Sequence, residues 1–123
     1  ADGHLVINEL AMRPHNSGHY SIEGAATSQF EQHLRAVLDL PLGSTELLAP
    51  AAVMVNLLGV DDRNTFTEHY NKAMRVDAAL KFHSYEKSAR GGRKMGHITA
   101  LGDHPAELLK KAHSAAAAIY NQI

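Results

Sequence analysis

Polar and ionisable side chains crowd into residues 7–24, INELAMRPHNSGHYSIEG, directly after a short apolar run. Glu9 ends that run, and Arg13 and His15 follow it. A carboxylate oxygen suits Mg²⁺, which binds through one or two carboxylates together with phosphates. Arg13, four residues after Glu9, could hold a small planar anion such as bicarbonate by paired hydrogen bonds. The cluster suggests a reaction centre, but on the residues alone a strand end that reaches solvent is the simpler interpretation of Glu9.

A second cluster, KSARGGRK at residues 87–94, crowds four cations around a glycine pair: Lys87, Arg90, Arg93 and Lys94. Guanidinium groups offer planar donor forks that match phosphate oxygens, and glycines let backbone N–H groups approach an anion closely. A solvated hairpin loop, in which charges and glycines are common, explains the same residues equally well. The sequence therefore offers this loop as a candidate site for a phosphate monoester.

Nine histidines raise the question of a transition-metal site. His15 and His19 are four residues apart, but Pro14 and Gly18 favour a loop there, and the chain has no HExxH pattern. The chain also has no cysteine, which excludes disulfides, thiolate zinc sites and cysteine nucleophiles. We therefore do not predict a zinc site. Three further histidines lie on predicted helices and are expected at the surface: His33, His69 and His113.

Composition bounds the class of protein. With 123 residues, 45% of them hydrophobic, the chain can form one domain or pieces of two. A net charge of −1 creates no overall field that would favour nucleic acid or an anionic membrane surface. No apolar run approaches the roughly 20 residues that cross a bilayer, and the first residues lack a signal-peptide pattern. These features predict a cytoplasmic protein with neither nucleic acid nor membrane as a partner.

The N-terminal part is predicted to contain a strand, a loop and a helix. Residues 4–11 alternate like a strand, and RPHNSGHYS reads as an irregular loop. A helix is expected from about 28 to 39, because Ser28 and Glu31 form a capping-box pattern before a helical apolar spacing. A lone strand needs neighbours, so the chain could be the C-terminal piece of something longer.

The C-terminal part reads as strand, helix, strand, strand, helix. Residues 41–50 hold two prolines, a glycine and a serine and are predicted to connect the two parts. The run AVMVNLLGV at 52–60 is typical of a strand covered on both faces, and 65–76 is expected to be a helix capped by Thr65 and Glu68. The segments ALKFHSY and KMGHITAL predict two strands, and Pro105 opens an alanine-rich helix to about Tyr120. The pattern predicts an α+β fold in two layers.

Several of these strings together resemble one known family. NELAMRPHNSGHYSIEGAATSQFEQHLRAVLDLPLGS, AVMVNLLG and GRKMGHIT are similar to the C-terminal portion of the 5-(carboxyamino)imidazole ribonucleotide synthetases, ATPases of purine biosynthesis, over about residues 3–101. The resemblance implies that residues 1–40 are the end of an ATP-grasp domain, with its last strand, active-site loop and helix. Residues 41–50 would be a linker, and 51–123 a small two-layer α/β C-terminal domain.

The resemblance also implies a reaction. Such an enzyme is a ligase that uses ATP and Mg²⁺ to carboxylate 5-aminoimidazole ribonucleotide with bicarbonate, through carboxyphosphate. Its partners would be these small substrates, a second copy in a homodimer, and the missing N-terminal part of the same enzyme. The Gly-rich loop and the lysines that hold ATP would belong to that part, so the isolated chain is expected to be inactive.

Site residues follow from the same resemblance. Asn8 and Glu9 would lie at the ATP site, with Glu9 as the metal ligand. Arg13 and His15 would be catalytic and face the bicarbonate and the imidazole nucleotide. The implied substrate-binding set is Arg13, His15, Asn16 and Ser17 from the first cluster, Lys87 and Arg93 as the pair on the 5′-phosphate, and Arg90 and Lys94 as further candidates.

The chain departs from the family pattern at two places. Met12 stands where the family usually has proline, which loosens the backbone before Arg13. Gly91 also replaces a proline and loosens the basic loop in the same way. Many ATP-grasp enzymes carry an asparagine metal ligand where this chain has Ala11.

Two alternatives remain at this point: a formate-dependent glycinamide ribonucleotide transformylase, which tends to read RPHDTGM, and a non-catalytic assembly or binding module.

Overall fold

The computed structural model describes residues 3–60 and 66–120. Within these ranges, four α-helices and three strands follow one another, with two 3₁₀ turns at Asn16–Gly18 and Phe66–His69. The elements are α1 Ser21–Gly24, α2 Gln29–Val37, β1 Ala51–Leu58, α3 Tyr70–Met74, β2 Lys81–Ser84, β3 Lys94–Gly102 and α4 Pro105–Tyr120. The predicted α+β order of the C-terminal part is confirmed. No helix in the described ranges is long and apolar enough to cross a membrane.

The three strands form one antiparallel sheet in the order β1-β3-β2. β3 is central, and residues 95–100 on it are all buried. β1 lies at an edge and is mostly half-buried, so the prediction that 52–60 would be covered on both faces was wrong in burial although right in strand type. The doubly covered strand is β3, because α4 packs against Ile98 and Ala100 on one face and the N-terminal part packs against the other face.

Helix α4 covers one face of the sheet. Its buried residues recur at helical spacing and form the core with residues of β1 and β3. These residues are Leu108, Ala112, Ala115, Ala116 and Ile119, packed with Leu57, Ile98 and Ala100. Four of the eight are alanines, and such small side chains let the helix backbone lie close to the strands. The predicted helix from Pro105 to about Tyr120 is confirmed.

The opposite face of the sheet receives the N-terminal part of the chain. Side chains alternate along β3, so His97, Thr99 and Leu101 share the face that Ile98 and Ala100 do not. At Gly24 of α1, a Cβ atom would lie 3.1 Å from the side chain of Ala52 and 3.4 Å from that of Leu101. This close packing sets the segment before α1 over the polar side of the sheet.

Helix α2 confirms its predicted cap. The Ser28 hydroxyl accepts a hydrogen bond from the Glu31 backbone N–H at 3.2 Å. The Glu31 carboxylate contacts Arg35 one turn on, at 2.6 Å. Residues 41–50, predicted as a connection, form only one isolated bridge, between Ala25 and Leu47. This bridge fixes the connection to the N-terminal part.

Two N-terminal predictions need correction. Residues 4–11 form no strand in the described structure, where Leu5 is 100% and Ile7 87% exposed. An alternating segment becomes a strand only when another backbone supplies hydrogen-bond partners, and none of the described strands lies beside it. The segment RPHNSGHYS is less irregular than predicted, because it contains a 3₁₀ turn and leads into α1.

The predicted helix over 65–76 is broken into the turn Phe66–His69 and the short helix Tyr70–Met74. Its expected cap, Thr65, lies outside the described residues.

Gly59 fixes the basic loop to the end of β1. Its N–H donates to the carbonyl of Arg93 and its carbonyl accepts from the N–H of Gly92, both at 2.7 Å. A Cβ atom at Gly59 would lie 2.3 Å from the carbonyl oxygen of Arg90. We expect Gly59→Ala to lower the free energy of unfolding by about 1–3 kcal/mol, because the backbone must move apart.

Urea unfolding of the two variants Gly59→Ala and Gly91→Ala tests this prediction. Among the described residues, a Cβ atom at Gly91 would meet only the carbonyl oxygen of Val60, at 3.4 Å, so this matched variant should change stability by less than about 0.5 kcal/mol. Equal losses in both variants would show that the contact at Gly59 is not special.

Candidate active site

A cavity of about 640 Å³ lies where the N-terminal part meets the ends of β2 and β3. It brings together residues from both predicted clusters, Arg13 and Asn16 from the first and Lys87 and Lys94 from the second. The other lining residues are Pro14, His19, Ile22, Phe30, His83, Ser84, Tyr85 and His97. Two clusters about 70 positions apart in sequence thus share one site.

The loop that carries Arg13 and Asn16 is held by helix α2. The Gln29 side chain accepts from the His15 N–H at 2.9 Å and donates to the His15 carbonyl at 2.7 Å. The Ser21 hydroxyl accepts from the Gln29 N–H at 2.9 Å and donates to the Gly18 carbonyl at 2.6 Å. A Cβ at Gly18 would lie 2.5 Å from Oε1 of Gln29. A side chain at the glycine of the RPHNSGH string would therefore displace the Gln29 amide from the His15 backbone.

Glu9 and His15 form a pair beside this cavity. Nε2 of His15 lies 3.1 Å from Oε1 of Glu9, and its Nδ1 lies 2.7 Å from the Ser17 hydroxyl. A second cavity, of about 460 Å³, is lined by Asn8, Glu9, Arg13, His15 and Ser17, together with Ile7, Leu10 and Ala11. Arg13 lines both cavities, and Nη1 of its guanidinium group donates to the carbonyl of Pro14 at 3.2 Å.

The basic loop divides into two pairs. Lys87 and Lys94 line the larger cavity, and Nζ of Lys87 lies 4.9 Å from the centre of the Tyr85 ring, a cation–π distance. Arg93 instead donates to the carbonyl and the hydroxyl of Ser88, at 3.0 and 2.9 Å, and neither it nor Arg90 is among the lining residues. The structure thus separates four cations that the sequence groups together.

Sequence reasoning missed a cluster of rings in the same cavity: His19, His83, Tyr85 and His97. His83 and His97 face each other across β2 and β3, and their rings stack with centres 4.4 Å apart. His19 lies 5.5 Å from His97 and 5.8 Å from Tyr85. His19 and His97 do occur in the strings RPHNSGH and GRKMGH, which is the signal that could have identified them.

Burial controls the charge of this cluster. Burial is the main cause that lowers the pKa of His97 from 6.5 to about 4, and the neighbouring His83 and His19 add to it. Burial also lowers the pKa of His19 and raises that of Tyr85. His97 and Tyr85 are therefore uncharged at neutral pH and act there as neutral hydrogen-bonding groups.

Glu23 is a further residue that the sequence did not single out. Its Oε1 lies 2.6 Å from Nε2 of His83, and its side chain is only 16% exposed. The contact joins α1 to β2 directly below the cavity, so it fixes the N-terminal part on the sheet.

A magnesium ion can be accommodated only in part by this chain. The described residues contain no group of three or more His, Cys, Asp or Glu that could hold a metal. Magnesium, however, uses one or two carboxylates together with waters and phosphates. Glu9, whose side chain is 58% exposed beside the 460 Å³ cavity, fits as one such oxygen donor.

Comparison with known proteins defines the class. Residues 1–30 match the ATP-grasp domain, and residues 52–111 match the phosphoribosylaminoimidazole carboxylase C-terminal domain. Both matched ranges contribute to the larger cavity, through Arg13 and Asn16 on one side and Lys87 and Lys94 on the other. The chain therefore represents the C-terminal part of an ATP-grasp enzyme.

Individual relatives narrow this class. The N5-carboxyaminoimidazole ribonucleotide synthase of Mycobacterium tuberculosis is 52% identical over 123 residues, which cover 94% of this chain and 27% of the relative. That of Corynebacterium ammoniagenes is 45% identical over 95% of this chain and 29% of the relative. The chain belongs to the N5-carboxyaminoimidazole ribonucleotide synthase family and spans somewhat more than a quarter of the length of these relatives.

Solved structures of synthases with this name are similar to the chain. The synthetase of Thermotoga maritima has a TM-score of 0.75 at 48% identity, with 94% of this chain and 32% of that one covered. The Aspergillus clavatus synthase, in complex with ADP and 5-aminoimidazole ribonucleotide, has a TM-score of 0.74 at 39% identity, over 88% of this chain and 29% of that one. These names favour the carboxylating enzyme over the formate-dependent transformylase.

Proposed function

We propose that this chain forms the C-terminal part of an enzyme that carboxylates 5-aminoimidazole ribonucleotide with bicarbonate at the expense of ATP. The observation that carries the proposal is the 640 Å³ cavity, in which Arg13 and Asn16 meet Lys87 and Lys94. Support comes from the relatives, which carry the synthase name, and from the Aspergillus clavatus complex with the ribonucleotide.

The lining of the cavity suits a phosphorylated planar heterocycle. The ammonium groups of Lys87 and Lys94 supply fixed positive charge for a 5′-phosphate. The rings of His19 and Phe30 supply flat surfaces for an imidazole. In this assignment Arg93 supports the phosphate site through Ser88, and the part of the chain that the structure describes gives Arg90 no contact that favours a direct role.

Arg13 and His15 would serve the carboxyl donor. In the proposed reaction a bicarbonate oxygen attacks the terminal phosphorus of ATP, and ADP leaves. The amine of the ribonucleotide then attacks the carboxyl carbon of carboxyphosphate, phosphate leaves, and the amine loses a proton. The Arg13 fork can hold the planar carboxyl group through these steps, and such fixed positive charge stabilises charge that develops on transfer.

His15 can be oriented for a role in proton transfer by its neighbours. Its Nδ1 contacts Ser17 and its Nε2 contacts Glu9, so both ring nitrogens are engaged. Asn8 and Glu9 would face the nucleotide, and Glu9 would offer an oxygen to Mg²⁺, which neutralises phosphate charge when bound.

The proposal also covers the domain boundaries, the oligomeric state and the location of the enzyme. Residues 1–40 would complete an ATP-grasp domain, 41–50 would link it, and 51–123 would form the C-terminal domain. The family resemblance further suggests a homodimer in the cytoplasm and an N-terminal part that supplies the ATP-binding loop and lysines.

Steady-state ATP turnover tests the proposal. The enzyme that carries this chain as its C-terminal part should release phosphate from ATP only when both bicarbonate and 5-aminoimidazole ribonucleotide are present, and should form the carboxylated ribonucleotide. Turnover with formate and glycinamide ribonucleotide instead would refute the assignment.

The 123-residue chain alone should give no turnover above background. Bicarbonate-dependent ATP hydrolysis by this chain would contradict the proposal that the ATP-binding groups lie elsewhere. The enzyme with both parts, assayed beside it, is the positive control.

A further inference from the structure

A short chain of hydrogen bonds crosses from the RPHN loop to the sheet. Nδ2 of Asn16 donates to the hydroxyl oxygen of Tyr85 at 3.2 Å, and that oxygen lies 2.8 Å from Nδ1 of His97. Asn16 lies in the range that matches the ATP-grasp domain, and the other two lie in the range that matches the C-terminal domain. The contacts therefore join the two matched parts inside the cavity.

The direction of these bonds follows from the chemistry of the three groups. A tyrosine hydroxyl has one proton to donate, and its oxygen already accepts from Asn16. A neutral imidazole has one acceptor nitrogen, and His97 is neutral at pH 7 because it is buried, with 1% exposure. The His97 tautomer sets the direction of the bond between Tyr85 and Nδ1 of His97, and in either tautomer the hydroxyl oxygen, which has two lone pairs, accepts from the Asn16 amide.

Both sheet residues are rigidly placed. The ring of His97 stacks on that of His83, which in turn contacts the Glu23 carboxylate. Tyr85 follows the last residue of β2, and its ring meets that of His19 edge to face. An anchor of this kind can hold a loop side chain within the narrow tolerance that a reacting geometry needs.

We propose that Tyr85 and His97 are positioning residues, which hold the Asn16 carboxamide and the loop bearing Arg13 in place relative to Lys87 and Lys94. The proposal rests on the proposed function for its kinetic consequence. Neither residue is required to touch the reacting atoms, since each acts through Asn16.

The first test reads the contact itself, without any assay of activity. In ¹⁵N-labelled chain the two side-chain amide protons of Asn16 should shift and exchange faster with solvent in Tyr85→Phe, because their acceptor is gone. The matched control is Tyr70→Phe, since Tyr70 is also partly buried and packs on Phe82 but does not line the cavity. An unchanged Asn16 signal in Tyr85→Phe would overturn the proposal.

The second test reads the consequence in the complete enzyme. Tyr85→Phe should lower kcat/KM for the ribonucleotide about five- to tenfold, the effect of one lost hydrogen bond, while KM for ATP changes less than about twofold. In the Asn16→Ala background, Tyr85→Phe should have no further effect, because the two residues act as one unit. A full additional loss in that background would mean that Tyr85 contacts the substrate directly, and would overturn the proposal.

Variants at His97 test the positioning proposal independently. In His97→Asn the carboxamide, which carries both an acceptor and donors, can still form a hydrogen bond with the Tyr85 hydroxyl, so activity should stay near the wild-type value, whereas His97→Leu should match Tyr85→Phe. If the His97 variants do not fold, Tyr85→Phe decides alone. A wild-type enzyme without ribonucleotide-dependent turnover would refute the proposed function, while the Asn16 amide spectrum would still decide the positioning contact.

Discussion

Replacement of Lys87 by alanine should raise KM for the ribonucleotide about 10- to 100-fold in the complete enzyme, the worth of a charge-assisted hydrogen bond to phosphate. Lys87 lines the cavity beside Tyr85, over whose ring its ammonium group lies. Lys87 is not among the described residues that line the second cavity, where Asn8 and Glu9, assigned to the nucleotide, lie, so KM for ATP should change little. Initial rates at varied ribonucleotide and fixed saturating ATP, and the reverse, measure the two constants.

Three further variants serve as comparisons for Lys87→Ala. Lys94→Ala should behave like Lys87→Ala because it lines the same cavity. Arg93→Ala should also raise KM for the ribonucleotide, but less, since Arg93 acts by holding Ser88. Lys110→Ala, an exposed lysine on α4, should leave both constants unchanged. Equal rises for ribonucleotide and ATP would contradict a phosphate-anchor role.

A decrease in pH from 6.5 to 4 should lower the free energy of unfolding of the chain by about 3 kcal/mol. His97 has a pKa of about 4 in the folded chain and an ordinary value of 6.5 when unfolded. Between these values the unfolded chain binds a proton that the folded chain excludes, so stability falls as pH falls and is fully present above 6.5. His19, whose pKa is also lowered, adds in the same direction. Urea unfolding at a series of pH values measures the slope.

The variant His97→Asn isolates the contribution of that imidazole. It cannot take up a proton in this range, so its stability should depend less steeply on pH than that of the wild type. Asp77, paired with Lys111, has a pKa lowered below 3.8, so its contribution is lost only under more acidic conditions and does not overlap. Identical slopes for wild type and variant would show that His97 is not the main acid-sensitive group.

The sequence predicted most elements correctly where local signals agree. The Ser28 cap and the apolar spacing after it define α2, and Pro105 with its alanine-rich pattern defines α4. The strand predicted over 4–11 was wrong because alternation supplies a face but no hydrogen-bond partner. The prediction of the burial of β1 was wrong for a related reason, since burial depends on the place of a strand in the sheet and on the segments that pack on its two faces, and periodicity contains neither.

Residue type and spacing by themselves brought the family and two candidate clusters into view: the RPHNSGH string, the GRKMGH string and the basic loop. Only the tertiary structure showed that these clusters share one cavity and that Lys87 and Lys94 line it while Arg93 does not. It also revealed the stacked pair His83 and His97, since this contact depends on the register between β2 and β3. The residue types define what chemistry each side chain can perform. The burial of a side chain, its pKa and its neighbours are decided only when distant segments of the chain pack together.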